Sequence, residues 1–186
     1  MIAQTKFRSV IFPDNTIMQN ALIVILSSVF LGVISQVAIH LWWPVPITLQ
    51  SAAVVWLGLT LGSWRALSAV MLYLLEGAVG LPVFAGGLSG LICFAGPSGG
   101  YLCGFLPAAF VAGFFMEKGL ARNFITTFIA AILSSSIIFL LGVLHLQGLV
   151  GWQKAWAIGV TPFLFIEPIK LLVASIMAAF CWKQSA

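Results

Sequence analysis

Charge is what this sequence has least of: 4 acidic and 8 basic side chains in 186 residues, 6% of the chain, against 62% hydrophobic. A soluble domain carries about a quarter charged residues, so this chain cannot cover a water-facing surface. Its mean hydropathy of +1.16 marks an integral membrane protein. Histidine is scarcer still, at two, and His40 and His145 read as interfacial residues at helix ends with no metal-ligating cluster beside them. The three cysteines, Cys93, Cys103 and Cys181, are odd in number and lie in apolar context without metal or disulfide spacing. They read as small buried hydrophobes. Despite the net charge of +4 there is no basic run or basic helix face, which excludes a nucleic-acid partner and leaves topology as the explanation. The first apolar stretch lacks an A-x-A-like cleavage site, so it reads as a retained helix and not as a signal peptide.

What is present is apolar sequence in span-sized lengths. At about 20 residues per span, the chain allows about six helices in one compact domain and leaves no room for a soluble enzyme domain. The expected architecture is an all-α integral membrane protein with helices at about 20–41, 47–62, 64–79, 101–116, 123–144 and 162–182, after a cytoplasmic segment 1–19. On that reading the N-terminus, the second and fourth loops and the C-terminus share one side. That side carries Lys6, Arg8, Arg65, Lys118, Arg122 and Lys183; the other carries only Lys154. The excess places both termini in the cytoplasm of a multi-pass cell-membrane protein. Tryptophans agree, with Trp42, Trp43, Trp152 and Trp156 at the outer edge and Trp64 and Trp182 at the inner one.

Three irregular segments then fall on the external side: HLWWPVPITLQ between spans one and two, GLPVFAGGLSGLICFAGPSGG between three and four, and TPFLFIEPIK opening span six. Irregular backbone at membrane depth is tolerated only where it is buried in protein or lines a cavity. Their convergence predicts a ligand pocket open to the outside.

Within span six, Glu167 and Lys170 are three apart and share a helix face, although each charge at the bilayer centre costs about 2.5–3.5 kcal/mol. They form either a self-satisfied pair that fixes packing or a clamp, in which the carboxylate accepts ligand N–H groups and the ammonium holds an oxygen. Pro168 removes a backbone donor between them, which predicts a loosened first turn. The glycine-rich segment permits close backbone approach to a ligand or makes a plain turn. Tyr101 at its end stacks on a ligand or marks the interface. Thr48 and Gln50 serve as helix–helix glue or as ligand contacts. Glu76 reads as a snorkelling or loop-bound acid. In span one, Ser28 and Gly32, with Ser35 beside them, form a small-x-x-x-small face that packs inside the protein or against a membrane partner. The only acid–base candidates are Glu76, Glu167, Lys170 and the histidines, so no catalytic residue and no cofactor is expected. Polar residues gather at one side only, which argues against a channel.

Taken together, PVPITLQ, GLPVFAGG, GPSGGY and the acid-x-x-Lys of the last helix resemble the BioY family of biotin transporters, the substrate-binding S components of energy-coupling-factor importers. The resemblance runs from about Pro44 to the end of span six. It implies biotin uptake by a six-helix binder with an external-side pocket, in which Gln50, Gly86, Gly87, Tyr101, Glu167 and Lys170 match pocket positions. The alternative within the class is another vitamin or cofactor precursor. Three departures stand out: Glu167 where the family usually has Asp, Leu88 where some members are polar, and Leu102 where some have Arg. They shift weight to Ser89, to backbone N–H groups and to Lys170 as the main cation. The resemblance also implies docking to a transmembrane T component through the small face of span one, here Ser28 and Gly32, and energy from two ATPase subunits.

Overall fold

The computed structural model describes residues 16–39, 45–121 and 123–183, with backbone alone at Ile39, Trp182 and Lys183. The expectations for Lys6, Arg8, His40, Trp42, Trp43, Pro44 and Arg122, and for most of segment 1–19, lie outside the described residues. The elements are α1 (Ile17–Ser35), a ribbon of β1 (Ala38–Ile39) and β2 (Ile47–Thr48), α2 (Gln50–Leu61), α3 (Ser63–Ala78), a 3-10 turn (Ala85–Gly87), α4 (Ile92–Ala95), α5 (Gly99–Glu117), α6 (Phe124–Val150), α7 (Trp152–Gly159) and α8 (Phe163–Lys183).

Four of these helices are long and apolar enough to cross a membrane: Ile17–Ser35, Gly99–Glu117, Phe124–Val150 and Phe163–Cys181. The second and third expected spans form shorter helices of 12 and 16 residues, rising about 18 and 24 Å against a hydrocarbon core of about 30 Å. The first helix stops at Ser35, short of the expected Leu41, because the chain turns there into the antiparallel pair Ala38–Thr48 and Ile39–Ile47. The fifth runs on to Val150, and α7 follows it unforeseen. Pro168 does not interrupt α8, which stays helical through its first turns, so the expected loosening is not seen.

Local chemistry explains the boundaries. Thr16 opens α1 and Asn123 opens α6 with reciprocal capping boxes, through Gln19 and Thr126, each satisfying orphan N–H groups of the first turn. The turn between α2 and α3 needs Gly62 at φ 86°, a conformation that a Cβ disfavours. The N-terminus of α3 is capped from a distance: Glu117, at the end of α5, accepts from the Ser63 backbone N–H and from its hydroxyl, both at 2.8 Å. Glu117→Ala is expected to cost about 1 kcal/mol, read as a lower thermal midpoint in detergent. An unchanged midpoint would remove the cap from the account.

Small residues let the helices close up. A Cβ on Gly113 would lie 2.2 Å from the Ser63 nitrogen, and one on Gly104 would lie 2.9 Å from the Ile138 Cα. The outward faces are apolar instead, as Leu22, Ile25, Leu26, Val29 and Val33 of α1 show. Two expectations are corrected here. Cys103 and Cys181 are exposed and Cys93 is half-buried; in a bilayer protein the outside is apolar too, so a small hydrophobe has no need of the core. Glu76 neither snorkels nor binds a loop, because both its oxygens lie within 2.7 Å of the Ser28 hydroxyl of α1, which donates to them.

That contact also decides the small face of α1. Ser28 is fully buried under Glu76, and Gly32 is buried with Val83 within 3.5 Å of the position of its absent Cβ. Of the two expected uses, the structure takes packing inside the protein. Ser28 and Gly32 are therefore not open to a docking partner in this arrangement.

Candidate functional site

A cavity of about 340 Å³ lies where the 45–51 segment, the 84–98 loop, the N-terminal parts of α5 and α8 and the middle of α6 meet. Its walls are mostly aromatic and aliphatic, with Phe84, Phe105, Phe139 and Phe163 prominent, and its polar edge is Thr48, Gln50, Ser51, Ser98 and Tyr101. The three irregular segments picked out in the sequence do converge here.

The loop is pinned at several points. Gln36 Nε2, at the end of α1, donates to the carbonyls of Pro82 and Phe84, each at 3.3 Å. Ser35 Oγ donates to the Val83 carbonyl at 2.5 Å. At the other end, His145 Nε2 sits 3.0 Å from the Gly96 carbonyl, so the histidine expected at an interface also tethers the loop to α6. Gly86 and Gly87 adopt φ of 70° and 74°, the left-handed conformation for which glycine is suited. They are exposed and do not line the cavity; their neighbours Phe84, Ala85 and Leu88 do. Ser89 is also absent from the wall, and its carbonyl accepts from the Cys93 thiol.

Gln50 opens α2 with 5% exposure. Its Oε1 accepts from Thr48 Oγ1 at 3.0 Å, and its Nε2 donates to the Tyr73 hydroxyl at 2.6 Å. Tyr101 lines the cavity, while its hydroxyl donates to the Gly159 carbonyl at 2.8 Å. The phenol is thus committed to α7, which makes Tyr101 a wall more than a polar contact. Leu88 and Leu102 both line the cavity, so the substitutions noted against the family pattern make its wall more apolar.

Glu167 and Lys170 stand one side chain behind this wall. Their side chains are each 8% exposed and form a 2.5 Å ion pair. Glu167 accepts from Ser51 Oγ at 3.0 Å and from Ser135 Oγ at 2.7 Å. Lys170 Nζ donates to the Thr48 carbonyl at 2.8 Å and to Ser51 Oγ at 2.9 Å. All three ammonium donors are therefore in use. Ser51 joins the pair to the cavity, since it lines the cavity and touches both charges. Glu167 and Pro168 border a second, outward-facing hollow of about 360 Å³ between α6, α7 and α8, rimmed by Trp152 and Trp156.

Sequence reasoning missed Ser51, Ser135 and Tyr73. Ser135 lies in a run of three serines of which Ser134 and Ser136 bond back to carbonyls of their own helix, at Ala130 and Ile132. Only packing distinguishes the one that reaches across. Ser51 had a signal, being a polar residue next to Gln50 at the start of a mostly apolar helix.

Fold and site define an all-helical membrane protein with a small-molecule cavity roofed by a glycine-rich loop. The chain belongs to the BioY family, whose pattern matches residues 4–186. It is 35% identical to biotin transporter BioY2 of Lactococcus lactis subsp. cremoris over 168 residues, covering 88% of this chain and 90% of that one. It is 40% identical to the biotin transporter BioY of Thermotoga maritima over 136 residues, covering 73% and 79%. Its fold matches the crystal structure of the S-component for biotin from an ECF-type ABC transporter with a TM-score of 0.82. That match is at 25% identity and covers 90% of this chain and 92% of the other.

Proposed function

We propose that this chain captures biotin from the external side of the cell membrane and serves as the S component of an importer. The observation that carries the proposal is the cavity itself, apolar and aromatic along its length, with Thr48, Gln50 and Ser51 at a polar edge backed by Glu167 and Lys170. Its volume of about 340 Å³ falls at the small end of ligand sites, about 300–1,000 Å³. Biotin has the matching division, with a fused bicycle and aliphatic chain that want apolar walls and a ureido group and carboxylate that want partners. The names of the relatives point the same way.

The orientation we propose is six spans with both termini cytoplasmic, from the distribution of basic residues. Gln50, Tyr101 and Ser51 meet the ligand first. Glu167 and Lys170 are satisfied by each other and by Ser51. Turning the Ser51 hydroxyl toward a ligand would free one lone pair on the carboxylate and one ammonium donor. Capture requires no bond to be made or broken, so the chain acts as a binder and not as an enzyme. The sequence carries no G-x-x-x-x-G-K-[ST] loop, and ATP use falls to two ATPase subunits acting through a T component.

The test is radiolabelled biotin binding to detergent-purified protein, with saturable binding expected. If wild type binds none, while a vitamin panel yields a thermal shift with a different compound, the substrate is that compound and the importer class stands.

A further inference from the structure

We infer that Tyr73 is a positioning residue for ligand capture, acting through Gln50 and never touching the ligand. This rests on the reading above that the cavity is the binding site. Tyr73 is fully buried in α3 and is absent from the cavity wall. A buried phenol wants a partner, and this one takes a hydrogen bond from Gln50 Nε2 at 2.6 Å. On the other side of the amide, Thr48 Oγ1 donates to Gln50 Oε1 at 3.0 Å, and the Gln50 backbone N–H donates to the same Thr48 oxygen at 3.3 Å.

The Gln50 side chain is therefore held at both ends of its amide. A primary amide has two donors and two acceptor sites. One donor is used on Tyr73 and one acceptor on Thr48, which leaves one N–H and one lone pair that can be turned to a ligand. Without the phenol, the Nε2 end has nothing to orient it, and the donor offered to the cavity becomes one of several rotamers. Tyr73 also supports the opposite wall. Its ring meets Phe84 edge-on, at 5.5 Å between centroids and 79° between planes, and Phe84 is one of the loop residues that line the cavity. Tyr73→Phe keeps that contact and removes only the hydroxyl, so the two roles can be separated.

The experiment measures biotin affinity for wild type, Tyr73→Phe, Gln50→Ala and the double variant. Tyr73→Phe is expected to weaken binding about tenfold, the worth of one oriented hydrogen bond, and to have no further effect in the Gln50→Ala background. An equal loss in both backgrounds, or no loss in either, would overturn the inference, because a structural role does not depend on Gln50. A ligand-free arm separates this from the functional reading. The chain has two tyrosines, so in a Tyr101→Phe background the Raman ring doublet of tyrosine reports the Tyr73 hydroxyl alone. Adding Gln50→Ala is expected to shift the doublet. If wild type fails to bind biotin, the functional reading falls; a shifted doublet then still supports Tyr73 as the holder of Gln50, and an unshifted one rejects it.

Discussion

Lys170→Ala is expected to abolish biotin capture and to cost about 3–5 kcal/mol of stability, the usual penalty for removing one member of a buried ion pair. The size follows from what is left behind. Glu167 is 6% exposed, and without the ammonium its carboxylate keeps, among the described residues, the hydroxyls of Ser51 and Ser135. The Thr48 carbonyl and Ser51 Oγ also lose their donor, so the 48–51 segment at the polar edge of the cavity is held to α8 less firmly, with the Ser51–Glu167 bond remaining. Glu167→Gln with Lys170→Met removes both charges at similar volume and is expected to recover most of the stability, because a neutral pair of that shape is tolerated or better, but not the binding. Thermal unfolding in detergent and radiolabelled biotin binding on the same samples separate the two effects. If the double variant binds as wild type does, the pair is structural and the ligand is held by Gln50 and the loop alone.

Gly142→Ala is the second large effect, and it acts on the opposite wall. A Cβ at Gly142 would meet the Tyr101 ring 2.4 Å away, closer than real contacts allow, so the ring has to move. It has little room to do so. Its hydroxyl is bonded to the Gly159 carbonyl, the space where Gly159 lacks a Cβ is filled by that same hydroxyl at 2.5 Å, and Phe139 packs edge-on at 5.9 Å. Overpacking of this kind costs about 1–3 kcal/mol, and displacement of a wall residue is expected to weaken ligand binding as well. Gly148→Ala, on the same helix, is the control. Nothing lies within 4 Å of the Cβ it would add, so relief of the glycine entropy cost should leave it neutral or more stable by up to about 1 kcal/mol. Equal loss in both variants would mean that the ring is not wedged.

These two expectations differ in how visible they are without coordinates. Lys170 and Glu167 stand out in the sequence, because a charge inside an apolar run is costly and has to be retained for a reason. Their spacing of three already says that they meet. Gly142 gives no such sign. Glycine is ordinary in membrane helices, and only the arrival of Tyr101 from α5 makes its missing side chain a requirement. The same holds for Ser51, Ser135 and Tyr73, whose hydroxyls have local or interhelical uses that read alike in one dimension. The two uses left open for Ser28 and Gly32 have a related cause. A small-residue stripe says that something approaches closely, but not whether it is a helix of the same chain, and here α3 brings Glu76 to it.

By itself the sequence determined the solvent, the approximate place of the long apolar segments, the pair of charges in the last helix and the convergence of three irregular segments, because each is a one-dimensional consequence of what a bilayer penalises. Tertiary structure alone decided which polar groups face the cavity and which stand behind it. It set Ser51 between the ligand space and the Glu167–Lys170 pair, turned Gly86 and Gly87 outward, committed the Tyr101 hydroxyl to Gly159 and gave Tyr73 to Gln50. Those choices depend on how helices distant in sequence rotate against one another, and side-chain spacing along a single helix carries no information about that rotation.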